Sequence, residues 1–420
     1  MKYVVLERTG PVKGGNIILP VSKSLSNRLL LLRELAQDSF SIDNLSEADD
    51  TRIMMKALED IREGRQEIHA GEAGTVARFL TAYLAWLGQE HILTGNRRLQ
   101  ERPIGPLVDA LRLLGARIEF AGNERFLPLK FGKGKLQSGT VELAPSFSSQ
   151  FFSALLMIAP LLPEGLTLKT TERPVSLPYI DMTIGLMRQG GIQVTFRPWE
   201  WRIHPGNYHF PENIKIEADW SAAAPWLVFS LWAAPVQILL QGLESPSLQG
   251  DSSGLHFFEN PSFHTSFTPK GLTVSTNDGC QLPAEIHYDF VYTPDLALSF
   301  ITAAAASGCR GTFTGLQTLS LKESDRFQGL LGELANLGIK ATPQGNHSVI
   351  LHGTKIQTIP PFIKTYNDHR MAMAFAPLVL LTGKLCLENP DSVNKSYPHF
   401  WNHLSDRGIK VTFTKYLPVF

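Results

Sequence analysis

An internal repeat is the feature that most constrains what this chain can fold into. Six segments share one pattern: a polar or glycine start, an apolar run of helix length, a break, then a short strand-like run. They begin at Ser24 (SLSNRLLLLRELAQDSFSIDNL), Gly74 (GTVARFLTAYLAWLGQEHILTG) and Ser148 (SSQFFSALLMIAPLLPEGLTLK), then at Asp219 (DWSAAAPWLVFSLWAAPVQILL), Asp295 (DLALSFITAAAASGCRGTFTGL) and Asp368 (DHRMAMAFAPLVLLTGKLCLEN). Successive starts lie 50, 74, 71, 76 and 73 residues apart, a period near 73 with one short unit. Self-similarity at such a period marks supersecondary units that bury their apolar faces against one another.

A second helix, amphipathic, lies between these runs, ends in glycine and passes into a strand. Its copies are LVDALRLLGARIEF (107–120), IGLMRQGGIQVTF (184–196), LGELANLGIKAT (331–342) and FWNHLSDRGIKVTF (400–413). Apolar residues recur at three- and four-residue spacing, and the glycine supplies a left-handed cap. A copy is due near residue 264, but LHFFENPSFHTSF stands there without the glycine or the period, and the first copy, MMKALEDIREGRQEIH (54–69), reads as cut short. Each unit therefore reads strand, buried helix, strand, amphipathic helix, strand. Two groups of three give two α/β domains of similar size.

One stretch competes with that reading. Trp220 to Leu243 is 24 residues without a charge, enough to span a bilayer. Pro225, Pro235, the lack of a flanking basic cluster and the strand-like VQILL favour a buried helix followed by a buried strand. Lys+Arg and Asp+Glu both total 39, so net charge is zero and bulk nucleic-acid binding is not expected. Cys280, Cys309 and Cys386 have neither metal-like spacing nor the number for a disulfide framework. Glu7 and Arg8 come too early for a signal peptide, and a reducing cytoplasm is expected.

Polar residues concentrate at the helix starts, where free N–H groups and the helix dipole favour anions. Lys23, Arg28, Arg78, Arg102, Lys322, Arg326, Arg370 and Lys395 would bring about eight positive charges to a common cleft, with the compensating acids spread elsewhere. Such a cleft suits a small polyanion. Asp219 and Ser176 are as readily plain N-caps, and lone arginines are commonly surface groups.

At these residues the chain closely resembles the 5-enolpyruvylshikimate-3-phosphate (EPSP) synthase family. Nine fragments in order carry the resemblance: SKSLSNR (22–28), GEAGT (71–75), ERPIGPLVDAL (101–111), SSQFFSALLM (148–157), SLPYID (176–181), TPD (293–295), LKESDR (321–326), YNDHRMAM (366–373) and NKSYP (394–398). The fold implied is a two-domain inside-out α/β barrel, each domain three βαβαββ-type units. The N-terminal (lower) domain would be 21–218, the C-terminal (upper) domain 1–20 plus 219–420, with a hinge near 20 and 218.

The activity implied is that of a 3-phosphoshikimate 1-carboxyvinyltransferase. It moves the enolpyruvyl group of phosphoenolpyruvate to the 5-hydroxyl of shikimate 3-phosphate, in chorismate and aromatic amino acid biosynthesis. By resemblance, Lys23, Gly74, Arg102, Gln150, Arg326, Arg370 and Lys395 grip phosphoenolpyruvate. Lys23, Ser24, Arg28, Ser148, Ser149, Gln150, Ser176, Tyr179, Asp295 and Lys322 hold shikimate 3-phosphate. Asp295 is the base, Glu323 the acid, and Lys23 stabilises developing charge. Two carboxyl groups in different protonation states suit this addition–elimination. No metal or organic cofactor, nucleic acid or membrane is expected, and the chain is expected to be a cytoplasmic monomer. Because ligands come from both domains, ligand-driven closure is expected, with Arg78 and Asp219 as a pair formed on closing.

The chain departs from the family pattern at Glu72 (usually Asn), Phe79 (usually Pro), Thr318 (usually Asn), at DWSAAAP in place of a serine-rich stretch, and by about 20 residues missing between Asp50 and Gly74. Three other readings were weighed. A UDP-N-acetylglucosamine enolpyruvyl transferase would use a loop cysteine, and none of the three lies beside the basic motifs. RNA 3′-phosphate cyclase shares the unit architecture but not these motifs. A degenerate relative would hold anions without turnover.

Overall fold

The computed structural model describes residues 2–416 apart from 37, 39 and 358–361. Each apolar run at a repeat start forms a buried helix: Lys23–Leu35, Gly74–Leu87, Ser149–Ile158, Trp220–Trp232, Ala297–Ala306 and His369–Phe375. The uncharged stretch resolves into the helix Trp220–Trp232 and the strand Val236–Gln241. Among the described residues no helix is long and apolar enough to cross a membrane.

Two compact units form, Ser22–Ile216 and Met1–Val21 with Glu217–Phe420. The first is inserted in the sequence of the second, so we call them the inserted and the flanking unit. Among the described residues, four of the six sheets share one topology. In the sheet of Glu67–His69, His91–Thr94, Ile118–Phe120 and Leu129–Phe131, the first two strands are parallel and the other pairings antiparallel. A parallel pair needs a crossover, and the buried helix Gly74–Leu87 provides it. The same arrangement recurs around Ser149–Ile158, Trp220–Trp232 and Ala297–Ala306.

The flanking unit depends on residues from before the insertion. Strand Gly15–Ile18 is the parallel partner of Val236–Gln241. Strand Tyr3–Arg8 lies between Lys384–Glu388 and Ile409–Thr414, antiparallel to both, with Tyr3 opposite Glu388 on one side and Thr414 on the other. Without it those two strands would have no partner between them. In the inserted unit Asn213–Ile214 likewise returns to pair with Ser41–Ile42.

The glycine caps form as the pattern predicts. Gly115, Gly191, Gly338 and Gly408 all have positive φ, at 98°, 82°, 72° and 91°, a region that L side chains rarely adopt. One expectation needs correction. The first amphipathic helix is not cut short, since Asp49–Arg62 is a full 14 residues. What is missing is the strand pair that follows the helices Gly105–Leu113, Leu177–Gln189 and Arg326–Asn336, because the chain turns at Gly64 and passes directly into Glu67–His69. The eroded copy near 264 is a 3-10 helix, Gly250–Phe258, followed by the hairpin Phe263–Thr268 and Gly271–Thr276.

Leu6 is fully buried on the central strand. Leu6→Ala is expected to lower stability by about 3 kcal/mol, seen as a lower urea midpoint with no change in secondary structure content at zero denaturant.

Candidate functional site

In the inserted unit several helix starts meet around Arg28. Its Nε donates to the Thr183 hydroxyl (2.7 Å), Nη1 to the Ser24 carbonyl (2.9 Å), and Nη2 to Ser153 Oγ (3.2 Å) and the Tyr179 carbonyl (3.1 Å). The guanidinium also lies 5.4 Å from the centre of the Phe79 ring, giving the departure at 79 a role. Burial pulls the Arg28 pKa down to about 10. Ser22 and Ser148 are side-chain N-caps, accepting from the amides of Leu25 and Gln150. Ser176 holds the cap position of Leu177–Gln189 in a left-handed conformation (φ 54°) and makes no capping bond. Tyr179, in the first turn of that helix, is half-buried.

Gly74, Arg102, Gln150 and Thr75 form a second cluster. The Gln150 amide donates to Thr75 Oγ1 (3.0 Å). A Cβ at Gly74 would stand 2.4 Å from Arg102 Nη1, so only glycine lets that guanidinium lie against the backbone. Arg78 is buried beneath, donating to the carbonyls of Gly74 (3.2 Å) and Pro103 (2.9 Å) while its Nε has no hydrogen-bond partner. Burial, then the neighbouring Arg102 charge, hold its pKa well below the ordinary arginine value. Lys23 is paired with Asp50 at 3.0 Å. Glu72 is exposed on the turn before Gly74.

The flanking unit gathers charge around Arg326, whose side chain is 1% exposed. Its Nε donates to Asp368 (2.8 Å), Nη1 to Asp295 (3.2 Å), and Nη2 to Glu323 (2.6 Å) and again to Asp368 (3.2 Å). Burial works against that charge, but the carboxylates of Asp368, Glu323 and Asp295 outweigh it and hold the pKa above the ordinary value. Burial alone would raise Asp368, which Arg326 instead holds below the usual carboxylate range. Arg370 reaches Asp295 Oδ2 (3.0 Å) and Ser221 Oγ (3.1 Å), and Lys322 lies 3.5 Å from Asp295. Lys395 ends the 3-10 turn Pro390–Lys395, which packs on the helix His369–Phe375. The buried Thr318 Oγ1 has no hydrogen-bond partner.

Asp219 and Asp368 cap their helices, through the amides of Ser221 and Arg370. Asp295 does not: its helix starts at Ala297 behind Leu296, which leaves the carboxylate to the cations. The expectation that acids lie away from the cations is wrong. Asp50, Asp295, Glu323 and Asp368 sit among them, where they offset the cost of burying Lys23 and Arg326. Sequence reasoning also missed Asp251, at the start of the eroded 3-10 helix. Burial, followed by Asp295, pushes its carboxyl up to about 8. No local motif marks it.

The predicted site residues thus form two groups. Lys23, Ser24, Arg28, Gly74, Arg102, Ser148, Ser149, Gln150, Ser176 and Tyr179 belong to the inserted unit, and Asp295, Lys322, Glu323, Arg326, Arg370 and Lys395 to the flanking unit.

The family model for EPSP synthase (3-phosphoshikimate 1-carboxyvinyltransferase) matches residues 7–404. The chain belongs to the EPSP synthase family. It is 40% identical over 413 residues to a 3-phosphoshikimate 1-carboxyvinyltransferase of Bacteroides fragilis, covering 98% of this chain and 99% of that one. It is 34% identical to that of Neisseria gonorrhoeae, with 94% and 96% covered. The fold matches a solved structure of EPSP synthase from Acinetobacter baumannii, with a TM-score of 0.78 at 20% identity over 99% of this chain and 100% of that one.

Asp368 contributes stability above its unfolded pKa of about 4, and this is lost as pH falls through its lower folded value. Asp368→Asn should be less stable at pH 7, and the gap to wild type should narrow below about pH 4 in urea titrations at stepped pH.

Proposed function

We infer that this chain transfers the enolpyruvyl group of phosphoenolpyruvate to the 5-hydroxyl of shikimate 3-phosphate and releases phosphate. The observation that carries the reading is the pair of carboxylates, Asp295 and Glu323, held on one buried guanidinium in a member of the EPSP synthase family. Asp295, ringed by Lys322, Arg326 and Arg370, takes the proton from the 5-hydroxyl as its oxygen adds to C2 of phosphoenolpyruvate. Glu323 delivers a proton to the C3 methylene. The tetrahedral adduct then loses phosphate and a methyl proton to give the enol ether.

Arg326 bears on both steps. A phosphoenolpyruvate carboxylate that takes over the donors now held by Glu323 would free that side chain to carry its proton. Lys23, Gly74, Arg102, Gln150, Arg370 and Lys395 complete the grip on phosphoenolpyruvate. Lys23, Ser24, Arg28, Ser148, Ser149, Gln150, Ser176, Tyr179, Asp295 and Lys322 hold shikimate 3-phosphate. Lys23 steadies developing charge. Orientation and electrostatics supply the catalysis, so the proposal calls for no metal or organic cofactor. Burial pushes the thiols of Cys309 and Cys386 up to about 11 and raises Cys280, which leaves no ready thiolate for a cysteine-dependent enolpyruvyl transferase. The reading carries with it a monomer in a reducing cytoplasm.

Phosphate release from the two substrates tests the activity. Asp295→Ala and Glu323→Ala should each lower kcat by at least about a hundredfold. Wild-type protein that releases no phosphate overturns the reading.

We further propose that the two units close on the substrates by bending near residues 20 and 218. The division of the expected site residues between the two units supports this. X-ray scattering should show a smaller radius of gyration with both substrates than without, and an unchanged radius overturns closure.

A further inference from the structure

The segment Lys364–Arg370, which carries Asp368 and Arg370, contains two successive non-glycine residues in the left-handed region, Tyr366 (φ 54°) and Asn367 (φ 57°). Such backbone persists only where surrounding contacts over-determine it. Here two carboxylates do so. Glu388 Oε1 accepts from the amides of Thr365 and Tyr366, both at 3.1 Å. Glu333, whose side chain is fully buried, accepts from the Tyr366 hydroxyl (2.9 Å) and from the Lys364 amide (3.3 Å).

The Tyr366 ring has a seat. A Cβ at Gly329 would meet its ring carbons at 3.2 Å, and one at Gly332 its hydroxyl at 3.2 Å. These glycines share one face of the helix Arg326–Asn336, the helix that also begins with Arg326 and carries Glu333 two turns on. The segment is therefore docked on one helix at two points, Arg326 with Asp368 and Glu333 with Tyr366. The Tyr366 phenol stays a donor, since burial and then Glu333 push its pKa up to about 12.

We propose that Tyr366 and Glu333 are positioning residues for the transfer reaction, clamping the left-handed turn that aims Arg370 at Asp295 and so sets affinity for phosphoenolpyruvate. This rests on the function inferred above. Neither side chain contacts Asp295, and the effect passes through the turn to Asp368 and Arg370, whose amide donates to Asp368 (2.9 Å).

Tyr366→Phe keeps the ring in its seat and removes only the hydroxyl. It should raise KM for phosphoenolpyruvate about tenfold, the scale of one hydrogen bond to a charged acceptor, with KM for shikimate 3-phosphate unchanged. Adding Asn367→Gly, which adopts positive φ without strain, should recover most of the loss. Amide hydrogen exchange over 365–370, read without substrates, should be faster in Tyr366→Phe and return toward wild type in the double variant. Wild-type protection in Tyr366→Phe overturns the clamp, whatever the enzyme turns over. Lost protection with an unchanged phosphoenolpyruvate KM, or equal changes in both KM values, overturns its role in aiming Arg370. Wild-type protein without turnover overturns the inferred function, while the exchange result still decides the clamp.

Discussion

One buried guanidinium organises the chemistry of the flanking unit. Arg326 holds Asp295, Glu323 and Asp368 at 2.6–3.2 Å. Three carboxylates this close would repel one another, and one cation buried among them would be costly to desolvate. The carboxylates keep Arg326 charged, and Arg326 holds Asp368 below the usual carboxylate range. Asp368 in turn caps the helix that carries Arg370, which returns to Asp295. Asp295, Glu323, Asp368 and Arg370 are therefore tied together through Arg326.

The inserted unit is built differently. Lys23 pairs with Asp50, but Arg28 and Arg78 lie against carbonyls, hydroxyls and rings. The hydroxyl groups of Thr183 and Ser153 lie on Arg28.

Much of the fold was legible. Period and glycine spacing located the buried helices and four left-handed caps, because both signals are local. The first repeat was misread, since a helix followed by too few residues looks like a short helix. The segment Asp49–Arg62 is complete, and only its strands are gone. The basic residues at helix starts were legible too. The pairing of Arg326 with Asp368 and Asp295 was not. The bond from Arg326 to Asp368 spans 42 residues and that to Asp295 spans 31, so no window of sequence contains the pair. Asp251 was hidden for the same reason, lying in a repeat whose pattern has eroded.

By itself the sequence determined the six-unit architecture, the buried character of the uncharged stretch, and the family through nine ordered motifs. Periodicity and capping depend on neighbours a few residues apart, so they survive in one dimension. Tertiary structure alone decided that strand Tyr3–Arg8 pairs with the far end of the chain, that Asp295 escapes capping duty, and that Tyr366 rests on two glycines under a buried Glu333. Each of these follows from which groups burial forces together, and burial is set by the folded chain as a whole.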